Sequence, residues 1–250
     1  MRTAVVIPIY NEAATIREVV TAALHQVDDV IVVDDGSADE SEKQLADLDI
    51  HLLKHAQNQG KATALRTGFD HALTLNASVV ITLDGDGQHK PGEIPKLLIS
   101  MRENPRSIII AARLKQRHNA PGLRLFANRF ADFWVSWAAG YPVTDSQSGF
   151  RLYPSGLLRS IRLDTSKERG FVFESEIMIE AASHNFYSVP VPVESIYRTG
   201  GRQSHYKPWT DTWRIVRMIA WRLFRRGFYL QGLFQSLGIM PDPRKHTTSL

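Results

Sequence analysis

The chain has 250 residues, 43% of them apolar and 22% charged, with no cysteine and a formal net charge of +4. That composition supports a sizeable globular core and excludes collagenous, coiled-coil and largely disordered chains. The missing thiols exclude disulfides, thiolate metal sites and cysteine nucleophiles.

Residues 4–9 and 30–33 are β-branched runs that predict buried parallel strands. Between them, from residue 12 to 27, Ile16, Val19, Val20, Ala23 and Leu24 recur at helical spacing. Further strands are predicted at 50–53, 79–83 and 108–112, and further helices at 40–48, 61–75 and 92–103. This alternation predicts an α/β fold with an open, mostly parallel, doubly wound sheet, whose ligands bind beyond the carboxyl ends of the strands. From Trp209 to Arg226 a basic amphipathic helix is predicted, with Trp209, Trp213, Val216, Ile219, Ala220, Leu223 and Phe224 on its apolar side. Such a helix either lies in a membrane surface or packs on the domain with its arginines solvated. Phe228, Tyr229, Leu230, Leu233, Phe234, Leu237, Ile239 and Met240 extend that apolar surface, and Trp134 and Trp137 either add to a lipid-facing groove or are core. No run is long enough to span a membrane, the amino terminus shows no leader pattern, and the tail from Pro241 is expected to be frayed. The expected organisation is a catalytic domain over 1–205, a membrane-associating helical segment over 206–240 and a tail over 241–250.

Charge is unevenly spread. Residues 1–100 hold 8 Lys/Arg against 15 Asp/Glu, a balance of −7, and residues 101–250 hold 22 against 11, a balance of +11. A basic second half suits an anionic partner, whether nucleic acid, a phosphorylated substrate or an anionic membrane.

Polar clusters follow three predicted strands: Pro8-Ile-Tyr10-Asn-Glu12, Asp34-Asp35-Gly-Ser37 and Asp84-Gly-Asp86-Gly-Gln88-His89. Two carboxylates separated by one small residue suit an oxygen-ligated Mg²⁺ or Mn²⁺, to which Gln88 can add a neutral oxygen. The glycines at 85 and 87 allow close backbone approach. Asp34-Asp-Gly-Ser37 reads equally as a capped turn, with Ser37 or Asp39 capping the next helix, or as a site for a nucleotide's base or ribose. Lys61, where a helix begins, is either a phosphate or base contact or an ordinary surface lysine.

Together with Gly60-Lys61 and Asp145-Ser-Gln-Ser-Gly-Phe-Arg151, these clusters resemble family 2 glycosyltransferases of GT-A fold. The likeness is greatest to the polyprenyl-phosphate (dolichyl-phosphate-type) mannosyl- and glucosyltransferase branch, and it runs over about residues 4–205. The resemblance implies that Pro8, Tyr10, Glu12, Asp35, Lys61, Asp84, Asp86 and Arg202 bind the nucleotide sugar. Asp84, Asp86 and Gln88 would hold the divalent metal, and Arg113, Arg124, Arg151 and Arg198 the acceptor phosphate. It implies inversion at the anomeric carbon by one in-line displacement, in cell-envelope synthesis at the cytoplasmic face of the inner membrane. An anionic acceptor needs no strong general base, whereas guanidinium forks match phosphate geometry.

The chain departs from the branch in two ways: Arg202-Gln-Ser-His205 lacks the lysine often found after the serine, and the carboxyl-terminal membrane spans of some relatives are missing. The Gln-x-x-Arg-Trp signature of processive synthases is absent too, which argues against cellulose- or chitin-type polymerisation. A hydroxyl acceptor on a lipid, pigment or glycan is the alternative, and it would need Asp145 as base. A non-catalytic nucleotide- or nucleic-acid-binding module is the remote one, opposed by the acidic first half. No nucleic-acid partner is expected.

Overall fold

A computed structural model describes residues 1–113, 122–161, 172–194 and 208–246. Side chains are described for all of these except 122–125, 208–212, 214, 245 and 246. Seven strands form one sheet: β1 (Thr3–Ile9), β2 (Asp29–Asp34), β3 (His51–Lys54), β4 (Val79–Thr82), β5 (Ser107–Ala112), β6 (Arg151–Pro154) and β7 (Tyr187–Pro192). Their order is β3-β2-β1-β4-β6-β5-β7. All pairs are parallel except those of β6, which runs antiparallel between β4 and β5. The expected open, mostly parallel doubly wound sheet is present, with β6 as its one reversed strand.

The strands read as unbroken apolar runs because both faces are covered. Ala4, Val6, Ile31 and Val33 point to one face, under α2 (Lys61–Thr74) and the helices α4 (Gly122–Ala139), α5 (Ser155–Ser160), α6 (Val172–Ser183) and α7 (Pro208–Arg225). Val5, Ile7, Val30 and Val32 point to the other, under α1 (Ile16–Leu24) and α3 (Ile94–Glu103). Gly68 shows how tight this packing is, because a Cβ there would collide with Val6 Cγ1. A helix-interior glycine costs about 1 kcal/mol relative to alanine, and here it brings α2 onto the sheet.

Three expectations are corrected. The helix predicted over 40–48 is only a 3-10 turn, Lys43–Leu45. Ser37 and Asp39 do not cap it; they accept backbone hydrogen bonds from Asn11 and Ala13. The tail is not frayed over 241–246: Pro243–His246 forms a 3-10 turn, and Arg244 ion-pairs with Asp242 and lies 5.4 Å over the Tyr141 ring. The apolar stripe of α7 is split between two surroundings. Ile215, Val216, Ile219 and Leu223 are buried in the domain, whereas Trp213, Trp221 and Phe224 are exposed.

Arg2 clamps the start of β2 through Nε and Nη2 to the Asp29 carboxylate, at 2.7 and 2.9 Å. That hydrogen bond, against the opposing effect of burial, holds Asp29 below the usual carboxylate range. A depressed folded-state pKa contributes stability above the unfolded pKa of about 3.9, and the contribution is lost as pH falls through the folded value. Arg2→Ala should therefore melt lower than wild type at pH 6. The gap should narrow below about pH 4, as thermal unfolding across pH will register.

Candidate active site

Because β2, β1 and β4 are neighbours, the loops leaving their carboxyl ends are neighbours too. Hydrogen bonds tie them into one wall. Asn11 N donates to Ser37 Oγ (2.9 Å), Ala38 N to Asn11 Oδ1 (2.8 Å) and Glu12 N to Ser41 Oγ (2.9 Å). Thr15 Oγ1 donates to the Gly85 carbonyl at 2.7 Å, linking the first loop to the third. Asn11 takes φ of 60° to make these contacts, a conformation that asparagine tolerates better than most residues. Gly36, at φ +76°, lies where a Cβ would stand 2.7 Å from the Gln57 carbonyl carbon. Along this wall Pro8 and Glu12 are half-buried and Tyr10 is exposed.

Asp35, expected at the nucleotide base, is engaged by the 55–60 loop. It is buried, and Oδ1 accepts from Gln59 N (2.9 Å) and lies 2.7 Å from His55 Nδ1, while Oδ2 accepts from Gly60 N (2.7 Å). Its carboxylate is spent on fixing the 55–60 loop, which delivers Lys61 at the start of α2.

The third loop carries the carboxylate pair. Lys61 Nζ lies 2.7 Å from Asp84 Oδ1 and 2.9 Å from Glu174 Oε1. Burial pushes the Lys61 ammonium down, but the two carboxylates outweigh it and the net shift is upward, so the lysine stays charged. Burial likewise pushes Asp84 up, and the adjacent Lys61 charge overcomes it and holds the carboxyl low. Asp86 goes the other way. Burial and the neighbouring Asp84 charge raise it, although Gln88 N donates to its Oδ1 at 3.0 Å. Two adjacent carboxylates with one held up by its neighbour is the situation a divalent cation relieves.

Among the described residues no set of three or more His, Cys, Asp or Glu side chains forms a metal cluster. Two carboxylates with an amide nearby still fit Mg²⁺ or Mn²⁺, ions that keep waters and take phosphate oxygens rather than demanding a full protein cage. The half-exposed side chains of Asp84, Asp86 and Gln88 leave that access.

The Asp145–Arg151 segment supports this pair from behind. A Cβ at Gly149 would collide with Asp84 Oδ2, so only glycine lets this backbone pass behind the carboxylate. Arg151 corrects the sequence reading. Fully buried, it donates from Nε, Nη1 and Nη2 to the carbonyls of Ser148, Glu174 and Ser146, each at 2.7 Å. It is a scaffold and is closed to an acceptor phosphate. Asp145 is buried at φ 55°, accepting from Arg113 N at 2.9 Å and pairing with the Arg113 guanidinium at 3.3 Å. Arg113 and Asp145 thus come together. Arg198 and Arg202 lie outside the described residues, as does the side chain of Arg124.

The contact of Glu174 with Lys61, the close approach of Gly149 to Asp84 and the burial of His89 were not read from the sequence. Burial pulls the His89 imidazole down to about 4, so it is neutral, and its Nδ1 is buried beside the Phe150 ring with no hydrogen-bond partner among the described residues. The available signal for Glu174 was its setting. Val-Phe-Glu-Ser-Glu-Ile-Met-Ile, residues 172–179, is a helix buried all round, and an acid in such a helix is rarely buried without a partner.

The Glycosyl transferase family 2 profile matches residues 4–151. The chain is a family 2 glycosyltransferase. It is similar to several relatives of this family that act on lipid phosphates. With the UDP-N-acetylglucosamine–dolichyl-phosphate N-acetylglucosaminyltransferase of Methanococcus voltae it shares 30% identity, covering 77% of this chain and 84% of that one. With the undecaprenyl-phosphate mannosyltransferase of Micrococcus luteus it shares 28%, over 96% and 100%. Among solved structures, mannosyl-3-phosphoglycerate synthase from Rubrobacter xylanophilus superposes with a TM-score of 0.71 at 18% identity, over 91% of this chain and 75% of that one. Glucosyl-3-phosphoglycerate synthase from Mycobacterium tuberculosis, solved with Mn²⁺, UDP-glucose and phosphoglyceric acid, gives 0.64 at 20%, over 90% and 79%. These neighbours place the glycosyltransferase in the GT-A fold.

A second surface of this glycosyltransferase is aromatic. Phe126, Phe130 and Phe133 of α4 and Trp221 and Phe224 of α7 are exposed, as are Phe228, Leu230, Phe234 and Ile239, in or flanking the short helix α8 (Leu230–Ser236). Trp134 and Trp137 are partly buried and stacked at 5.3 Å, and Trp137 Nε1 donates to the Phe228 carbonyl at 3.1 Å. Arg217, Arg225 and Arg226 are exposed alongside. No helix among the described residues is long and apolar enough to cross a membrane.

Proposed function

We propose that this glycosyltransferase moves a hexose from a nucleotide diphosphate sugar to polyprenyl phosphate, inverting the anomeric carbon, with a divalent cation held by Asp84, Asp86 and Gln88. The observation that carries this reading is the carboxylate pair at the end of β4, flanked by Lys61 and backed by Gly149. The lipid-phosphate acceptors named for its relatives support the acceptor. Bound there, the cation would neutralise charge building on the leaving nucleoside diphosphate. Pro8, Tyr10 and Glu12 would line the nucleotide, Lys61 and Arg202 would face the diphosphate, and Arg113, Arg124 and Arg198 the acceptor phosphate. Holding acceptor and donor in line supplies much of the acceleration, because the nucleophile is already an anion. Purified protein, labelled nucleotide sugars and undecaprenyl phosphate, with and without EDTA, test this. Product formed only without EDTA is expected, and metal-independent transfer, or no transfer from any donor, would count against it.

The Arg113–Asp145 contact bears on the hydroxyl-acceptor alternative. A carboxylate already engaged by a guanidinium and a backbone N–H is badly placed to take a proton. Asp145→Asn should leave kcat within about threefold while raising the acceptor KM, because asparagine still accepts from Arg113 N. A general base would instead cost kcat roughly 10²–10⁴-fold.

The aromatic and arginine-bearing surface supports a seat on an anionic membrane, at the cytoplasmic face, where a lipid-linked acceptor would be met. Trp221→Ser combined with Phe224→Ser should weaken binding to phosphatidylglycerol vesicles at least about tenfold. Vesicle co-sedimentation measures this, and transfer to a short, water-soluble acceptor should be unaffected.

A further inference from the structure

Glu174 is a carboxylate at the site that none of the roles above requires. It lies in the first turn of α6 and is buried, and its main-chain carbonyl is pinned by Arg151 Nη1 at 2.7 Å. One carboxylate oxygen, Oε1, meets Lys61 Nζ at 2.9 Å, while the other, Oε2, is buried with no hydrogen-bond partner among the described residues. A buried carboxylate satisfied on one oxygen only is costly. The interaction obtained in return is the hold on the lysine ammonium, which otherwise lies 2.7 Å from Asp84 Oδ1.

We infer that Glu174 is a positioning residue that shares the Lys61 ammonium with Asp84 and so keeps Asp84 available to a divalent cation. The inference rests on the proposed metal site. An ammonium with Asp84 as its sole carboxylate partner competes with a cation for the same oxygens. With Glu174 beside it, the ammonium has a second seat when Asp84 turns to the metal. Arg151 fixes the main chain of Glu174, and Gly149 lets Asp84 sit against the same backbone, so the two carboxylates are held on either side of Lys61 by one segment.

A four-protein cycle read by electron paramagnetic resonance of free Mn²⁺, with the metal alone and no donor, tests this. Glu174→Gln keeps the shape and removes the charge, and should weaken Mn²⁺ binding about tenfold. Lys61→Met should bind Mn²⁺ at least as tightly as wild type. In the Lys61→Met background, Glu174→Gln should change affinity less than about twofold, because no ammonium is left to compete. Glu174→Asp, which keeps the charge, should restore most of the affinity, and melting curves establish that each variant is folded. Equal weakening in both backgrounds, as plain charge at a distance would give, overturns the inference, and so does no weakening in either. If wild type binds Mn²⁺ and the cycle fails, the inference alone falls. If neither wild type nor Lys61→Met takes up Mn²⁺, the metal reading falls and carries the inference with it.

Discussion

Asp86→Asn is expected to lower sugar transfer by roughly a thousandfold or more while leaving the protein as stable as wild type, or slightly more so. The loss follows from removing one of two carboxylates that would carry the cation's charge, with only Gln88 left to supplement Asp84. The stability gain follows from the opposite side of the same arrangement. Burial and the charge of Asp84 raise the Asp86 carboxyl, so the folded state resists its ionisation. A raised folded-state pKa gives no penalty below the unfolded value of about 3.9 and a full penalty above the folded value. The advantage of asparagine should thus be present at pH 7 and vanish in acid, measured by thermal unfolding in EDTA. A site that destabilises its own fold is expected where function demands charge. A variant that melts well below wild type at pH 7 would mean that Asp86 has a scaffolding role instead.

Arg151→Met is expected to do the reverse, costing stability first and activity only as a consequence. Three buried carbonyls, those of Ser146, Ser148 and Glu174, lose their donors. Each buried acceptor left unsatisfied costs about 1–3 kcal/mol, so the total is about 3 kcal/mol or more. In a chain of this size that lowers the melting temperature by about 6–12 °C. Were Arg151 an acceptor-phosphate ligand, the variant would keep its melting temperature and raise the acceptor KM. Calorimetry alongside steady-state kinetics separates the two.

The parallel half of the fold was legible because β-branched runs and amphipathic helices alternate through residue 112, and each predicted strand there is present. What followed was harder for physical reasons. β6 has four residues, ends in proline and is buried on both faces, so it offers neither length nor alternation. α6 is buried nearly all round and shows no polar face to mark it as a helix. Of the site, the Asp84–Asp86 pair and Lys61 were legible because their spacing and position after a strand are local. Glu174 joins them from 113 residues beyond Lys61 in sequence, through a contact that only the packing of α6 creates. Arg151 was misread for a related reason. Residue type alone does not tell a charged group that binds a ligand from one that ties backbone loops together, because both tasks call for several strong hydrogen bonds in one place.

In the proposed reading, Asp84 and Asp86 would hold a cation against the donor diphosphate. A crystal structure of the protein with Mn²⁺ and a nucleotide sugar tests it most directly, since anomalous scattering locates the metal without reference to activity. A manganese peak beside these two carboxylates is expected, with the Lys61 ammonium retained by Glu174. A diphosphate bound with no peak there, and with Lys61 still seated on Asp84, would contradict it.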